Sequence, residues 1–183
     1  SADIITQNFS VATQNTNFSE EITFDLFDSL GGALILESVT FSLNGIVNGT
    51  AEAENLNANS TNINATLSAD MSISSDFNGE LVSLEPTASA SALLDSFDGV
   101  VDYSGASGTT LLNLNANQFD QVMLTDLASL AAYTGIGTST LDFLVMAASY
   151  VTGGGNIDSK IFTEAGGNIS VVYTYTDLST VEV

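Results

Sequence analysis

Apolar residues in this chain recur at every second position, and that period decides which backbone can bury them. From Asn62 to Ser74 the residues Ile63, Ala65, Leu67, Ala69, Met71 and Ile73 fall on one side. Asn64, Thr66, Ser68, Asp70 and Ser72 fall on the other. A strand turns successive side chains to opposite faces, so this segment reads as a half-buried strand with one wet face, as in an antiparallel sheet. Ile22, Phe24 and Leu26 repeat the pattern, as do Val39, Phe41, Leu43 and Val47, and then Ile169, Val171, Tyr173 and Tyr175. Leu141 to Val151 is apolar on both sides and is expected as a central strand, or as one covered on both faces.

Turn signals divide these runs at the short intervals of a sandwich: Gly31-Gly32, Asn78-Gly79, Asp98-Gly99, Ser104 to Thr110, Gly153 to Gly155 and Gly166-Gly167. Asn78-Gly79 tolerates positive φ at both positions and predicts a hairpin between Ile73 and Leu81. Only Leu124 to Tyr133 has helical spacing, through Leu127, Leu130 and Ala131, with Thr125 or Asp126 as N-cap and Gly135 as the stop. One short helix plugging an open end of the sandwich is expected. No linker-like composition shift interrupts the chain, so residues 1–183 are read as a single all-β domain, an antiparallel jelly-roll-like β-sandwich.

Composition then narrows function. The chain has 22 Asp and Glu against a single basic residue, for a net charge of −21, and it has no His and no Cys. At 44% hydrophobic it has material for a real core and is not the low-hydrophobicity, high-charge chain of a disordered segment. Nucleic acid is not an expected partner, since there is nothing to neutralise phosphates. Ser-His-Asp and Cys-His catalysis and the usual zinc ligand sets need residues that are absent. No apolar run is long enough for membrane insertion as a helix. Ser, Thr and Asn far outnumber charged residues and suit strands and turns. A cysteine-free, lysine-poor, Ser/Thr/Asn-rich chain with no basic and apolar leader at Ser1 is expected to be a mature exported protein, extracellular or at the cell surface.

Few residues remain to carry chemistry. Glu52 and Glu54 alternate with Ala51 and Ala53 and read as a solvated strand face, which leaves no acid–base pair for an enzyme. Asp95, Asp98 and Asp102 sit among Gly99 and Gly105, and calcium, which takes carboxylate and carbonyl oxygens, is the candidate cofactor. The competing account is turn chemistry, with each Asp capping backbone N–H groups. Lys160, the only side-chain amine, lies between Asp158 and Ile161 and reads as an exposed cation or as one half of an internal amide cross-link.

Residues 1–12 are read as either a first strand or a donor strand. Ile5, Phe9 and Val11 share one face, and the polar run Thr13 to Asn17 comes next, like a joint. Such a segment can add to a neighbour's sheet edge, and a head-to-tail contact of that kind does not close, so it builds a filament. The resulting expectation is a non-catalytic structural protein whose partner is itself, a homopolymer joined by N-terminal strand exchange. The alternative is a calcium-assisted adhesin or carbohydrate-binding surface module, although Trp is absent and Tyr numbers only 5 for stacking on sugars.

Several segments, in order, carry a family likeness: Phe27 to Gly31 with Leu36 to Leu43, Ala53 to Leu56 with Thr61 to Ser72, Leu94 to Gly108, Leu124 to Gly137, and Val171 to Thr176. Over about Phe9 to Thr176 the chain resembles the choice-of-anchor E domain proteins of bacterial surfaces. The resemblance implies an exported all-β domain without catalytic residues, fixed outside the cell by interchangeable C-terminal sorting tails. Here Asp177 to Val183 shows neither an apolar anchor nor a basic cluster, a departure from that pattern.

Overall fold

The computed structural model describes residues 1–180; the end of the C-terminal tail, residues 181–183, lies outside the described residues. Ten strands form, β1 (Ala2–Asn15), β2 (Phe18–Asp25), β3 (Leu34–Asn55), β4 (Thr61–Ser75), β5 (Gly79–Leu84), β6 (Thr87–Leu94), β7 (Gly108–Leu124), β8 (Thr138–Ala147), β9 (Tyr150–Gly153) and β10 (Ile157–Asp177), together with one helix, α1 (Leu127–Ala132). One sheet has the order β1-β10-β3-β7, and the other β2-β8-β4-β5, with β6 and β9 also paired to β4.

The second sheet is simpler than its segments suggest. Ala69 pairs with Ala147 of β8 and Thr66 with Tyr150 of β9, in one unbroken register interrupted only at Ala148 and Ser149. Likewise β5 and β6 continue one line along β4, broken at Glu85-Pro86, where proline has no N–H to give the ladder. Two layers, each four strands wide, therefore face one another. Every ladder within them is antiparallel. The all-β antiparallel sandwich with one short helix is the observed class.

The alternating apolar rows meet between the layers. Val39, Phe41, Leu43 and Val47 of β3 and Ile169, Val171 and Tyr173 of β10 pack in one cluster with Leu67, Ala69, Met71 and Ile73 of β4 and Leu141, Phe143 and Val145 of β8. Fully burying a side chain of this size contributes roughly 1.5–3 kcal/mol, and these rows are what hold the sheets together. At one end Phe24, Phe41 and Tyr133 stack, with Phe41 and Tyr133 rings 5.1 Å apart.

The helix differs from expectation in what it buries. Asp126 is its N-cap, accepting from the Ser129 N–H. Leu127, however, is 86% exposed, and Ala131 is exposed as well. Leu130 packs against the core as the spacing predicts, and the largest anchor is the residue that follows the helix. Tyr133 enters the core, and its hydroxyl meets Ser75 Oγ at 2.7 Å and donates to Asn78 Oδ1 at 2.6 Å. Asn78 belongs to the predicted β4–β5 hairpin, whose Gly79 has φ +72°.

The outer faces of the two layers differ in charge. On the β2-β8-β4-β5 layer, Glu21 lies directly opposite Asp142, which lies opposite Ser74, itself paired with Glu80. The other layer is banded by uncharged rows. Thr6, Val172, Thr40 and Met123 form one row across four strands. Asn8, Ser170, Ser42 and Gln121 form the next, and Ser10, Asn168, Asn44 and Phe119 the next again. Glu37 and Glu164 stand beyond the two ends of this band.

Candidate functional site

Two places draw on the residues singled out from sequence: the loop between β6 and β7, and the strand β1.

The loop folds back over the far end of β3 and corrects the reading of Glu54. This side chain is 0% exposed, not part of a solvated face. β3 is an inner strand, between β10 and β7, and residues 95–107 roof its outer side at that end. Glu54 organises the roof. Its Oε1 accepts from the Ser107 hydroxyl at 2.5 Å, and its Oε2 from the Tyr103 N–H at 2.8 Å and the Asp102 N–H at 3.4 Å. Glu52, two residues earlier, stays partly exposed opposite Lys160.

Tyr103 clasps the same roof from above. It takes a left-handed backbone (φ 55°), its hydroxyl donates to Asp158 Oδ2 at 2.8 Å, and Lys160 Nζ lies 4.6 Å from its ring centroid. The hydrogen bond to the Asp158 carboxylate, followed by burial and the nearby charges of Asp158, Glu52 and Glu54, raises the Tyr103 pKa above the usual phenol value. The phenol is thus a donor at neutral pH and not a base. Lys160 is exposed, and its cation–π contact closes the loop from outside.

The three aspartates sit in this loop without converging. Asp98 Oδ1 accepts from the Val100 N–H, and Asp102 Oδ1 from the N–H and hydroxyl of Ser104. The backbone carbonyl of Asp95 accepts from Asn55 Nδ2 at 2.7 Å, and its Oδ1 is 3.5 Å from Ser60 Oγ. Asp98 and Asp102 are turn-forming residues of the kind whose carboxylate satisfies a backbone N–H two positions on. Among the described residues, no group of three carboxylates stands ready to hold a metal ion.

Among the described residues, β1 lies at the edge of its own domain's sheet and pairs only with β10, from Ala2 opposite Thr176 to Asn15 opposite Glu164. Its inward row runs as the alternation predicts. Val11 is buried, Phe9 is half-buried against the core, and Ile5 near the free end is 41% exposed. Gln7, on the same row, ties β1 to the opposite layer by accepting from the Asp25 N–H at 2.7 Å and donating to the Asp25 carbonyl at 2.9 Å. The polar run is not a free joint. Gln14 and Asn15 pair with Ala165 and Glu164 beyond a bulge after Val11, so only Thr16 and Asn17 connect β1 to β2.

No protein-family model and no curated protein matches the chain. Among solved structures, the infectious bursal disease virus Gx strain is similar at 11% identity and TM-score 0.24, over 98% of this chain and 37% of that one. The infectious bursal disease virus VP2 subviral particle is similar at 12% identity and TM-score 0.22, over 97% and 38%. The chain thus spans little more than a third of either. Likenesses this weak support no statement about function.

Proposed function

We propose that this is a non-catalytic extracellular structural protein, exported to the cell surface or matrix, whose copies join head-to-tail by passing β1 into the sheet of the next subunit. The observation that carries the reading is the position of β1. It is a 14-residue edge strand with one ladder neighbour among the described residues, joined to β2 by two residues. If β1 leaves, it bares the β10 edge and the inward row of Ile169, Val171 and Tyr173. The β1 of a second copy presents the same Phe9 and Val11 at the same register. Exchange therefore replaces every lost contact with an identical one, and its cost is the freedom lost in joining two chains. Short connections favour such exchange over return to the same domain.

The strand order β1-β10-β3-β7 over β2-β8-β4-β5 supports the jelly-roll reading, because all connections but the β4–β5 hairpin and the in-line breaks pass from one layer to the other. The cysteine-free, Ser/Thr/Asn-rich surface supports export.

The test is refolding at high protein concentration, then light scattering and negative-stain microscopy. The full chain is expected to yield a ladder of oligomers and thin filaments. A chain lacking residues 1–12 is expected to fold but not to extend, and a synthetic peptide of residues 1–15 is expected to bind it and to stop growth of the full chain. Monomers under every condition would overturn the reading, as would a truncated chain that does not fold even with the peptide present.

A further inference from the structure

We propose that the shallow groove on the outer face of the β1-β10-β3-β7 sheet binds a neutral oligosaccharide. The groove has a volume of about 420 Å³ and crosses all four strands, from Asn8 and Ser10 on β1 to Phe119 on β7. That size falls within the range of small-ligand sites.

Charge selects the class of ligand. In a chain of net charge −21, the residues lining this groove carry none. An anionic glycan would still meet the field of the whole molecule, and a cation would find the carboxylates elsewhere. A neutral ligand escapes both difficulties.

Hydrogen bonding selects the chemistry. Ser10 Oγ donates to Asn168 Oδ1 at 2.6 Å, and Asn117 Nδ2 donates to Asn44 Oδ1 at 3.4 Å. These bonds orient the two asparagine amides and engage their carbonyl oxygens, which leaves the Asn168 and Asn44 NH₂ groups as donors. Sugar hydroxyl and ring oxygens accept such bonds. Across the strands these groups recur at about 4.8 Å, a spacing comparable to one sugar ring. Phe119, 58% exposed at the groove's end, offers an apolar ring face to the C–H side of a pyranose.

A second copy of the chain fits this face less well. Four strands at about 4.8 Å and the three uncharged rows at about 6.6 Å give roughly 400 Å² of uncharged surface, below the roughly 800 Å² per partner of a standard stable interface. The proposal is independent of strand exchange, since Asn8 and Ser10 occupy the same register whichever chain supplies β1.

The experiment titrates neutral hexasaccharides (β-1,4-glucan, β-1,4-N-acetylglucosamine and α-mannan) and one anionic oligogalacturonate into the ¹⁵N-labelled full chain, and tracks amide shifts. At least one neutral sugar is expected to shift the amides of Asn8, Asn44, Phe119 and Asn168 saturably, and the oligogalacturonate none of them. Phe119→Ala, at an exposed edge position, is expected to weaken binding about tenfold with an otherwise unchanged spectrum. Asn168→Asp, which places a carboxylate in the groove, is expected to weaken it further. Absence of shifts with every neutral sugar up to about 10 mM, a weak-site limit, would overturn the proposal. So would shifts confined to another face, or concentration-dependent broadening of the same amides without sugar, which would assign the face to self-association. Broadening that persists with the peptide of residues 1–15 present, which stops growth through β1, distinguishes self-association at this face from strand exchange.

Discussion

Glu54 is a buried carboxylate held by hydrogen-bond donors from residues 102–107, and replacing it tests the account of the β6–β7 loop. Hydrogen bonds to a charged group contribute about 1.5–3 kcal/mol each, and a buried donor left without an acceptor costs about 1–3 kcal/mol. In Glu54→Ala, two short bonds vanish, from Ser107 Oγ at 2.5 Å and the Tyr103 N–H at 2.8 Å, together with the longer one from the Asp102 N–H. The gross loss is about 3–6 kcal/mol, offset by about 1–2 kcal/mol of carboxylate desolvation that the hydrogen bonds had not already compensated. The net effect on closure of residues 95–107 is about 2–4 kcal/mol. The loop can open to water, which limits how much of this reaches the core. Hydrogen exchange is the suitable assay. Protection of the Asn55 N–H, bonded to the Ser107 carbonyl at 2.8 Å, and of the Asp95 N–H, bonded to the Ala106 carbonyl at 2.8 Å, is expected to fall roughly 30- to 700-fold. Core amides of β4 should change much less. Glu54→Gln keeps one carbonyl acceptor for the Tyr103 N–H, and its NH₂ can donate to Ser107 Oγ, so its effect should be clearly smaller. Unchanged protection in the alanine variant, or equal loss in both, would refute the assignment of Glu54 as the loop's anchor.

Other perturbations probe the rest of the structure. Asp142→Asn removes a like-charge cross-strand pair with Glu21 and should raise stability by about 0.2–1 kcal/mol, less at high salt, as read from denaturant midpoints. Gly49→Ala would bring a Cβ within 1.9 Å of the Phe162 carbonyl oxygen on β10, so the variant should be strongly destabilised or fail to fold when assayed by thermal melting. Burial raises the Tyr133 and Tyr173 pKa values above that of a free phenol, so both stay neutral in the fold when the unfolded chain would ionise. Their contribution to stability should be full below about pH 10 and decline above it, with delayed phenolate absorbance marking the folded form. The Asp126 cap has the opposite sign. Its pKa is lowered by the Ser129 backbone and side-chain hydrogen bonds, so its support of α1 should be present above the ordinary carboxylate range and be lost as pH falls through its depressed value, visible as earlier acid loss of Tyr133 near-UV signal.

The sequence made most of the sandwich legible where burial is one-sided. β2, β3, β4 and the C-terminal half of β10 alternate cleanly because one face of each meets the core. β7 was not legible in the same way. As an edge strand it leaves Leu112, Phe119 and Met123 exposed on its outer side, so apolar residues occur on both faces and the alternation is blurred. The burial of Glu54 was hidden for a different reason. Alternation assigns a residue to a face, and the face is indeed the outer one, but the cover over it comes from residues 95–107, about fifty positions away. The available signal was the dense turn chemistry of Asp98-Gly99 and Tyr103-Ser104-Gly105, which marks a structured loop without saying where it folds. The aspartates of that loop were legible as residue types, and their local bonding depends on backbone conformation that no spacing rule fixes.

β1 joins the two functional proposals through the geometry of a single edge strand. Its odd positions, Phe9 and Val11, face the core, while its even positions, Asn8 and Ser10, complete the groove. A one-residue slip in register would exchange these sets, placing Asn8 and Ser10 against Ile169 and Val171 and turning Phe9 and Val11 to solvent. The cost of burying unpaired amide and hydroxyl groups, about 1–3 kcal/mol each, makes such a slip unfavourable in the closed monomer and in an exchanged pair alike. Gln7 adds a second lock, because only in the observed register does it reach the Asp25 backbone on the opposite layer. Gln7→Ala should therefore loosen β1 without altering the groove's chemistry, raising the rate of strand exchange while leaving sugar affinity of the paired strand unchanged. If Gln7→Ala slowed exchange in a fluorescence-dequenching assay between labelled copies, release of β1 would not be the step that limits assembly, and the edge-strand mechanism would lose its kinetic basis.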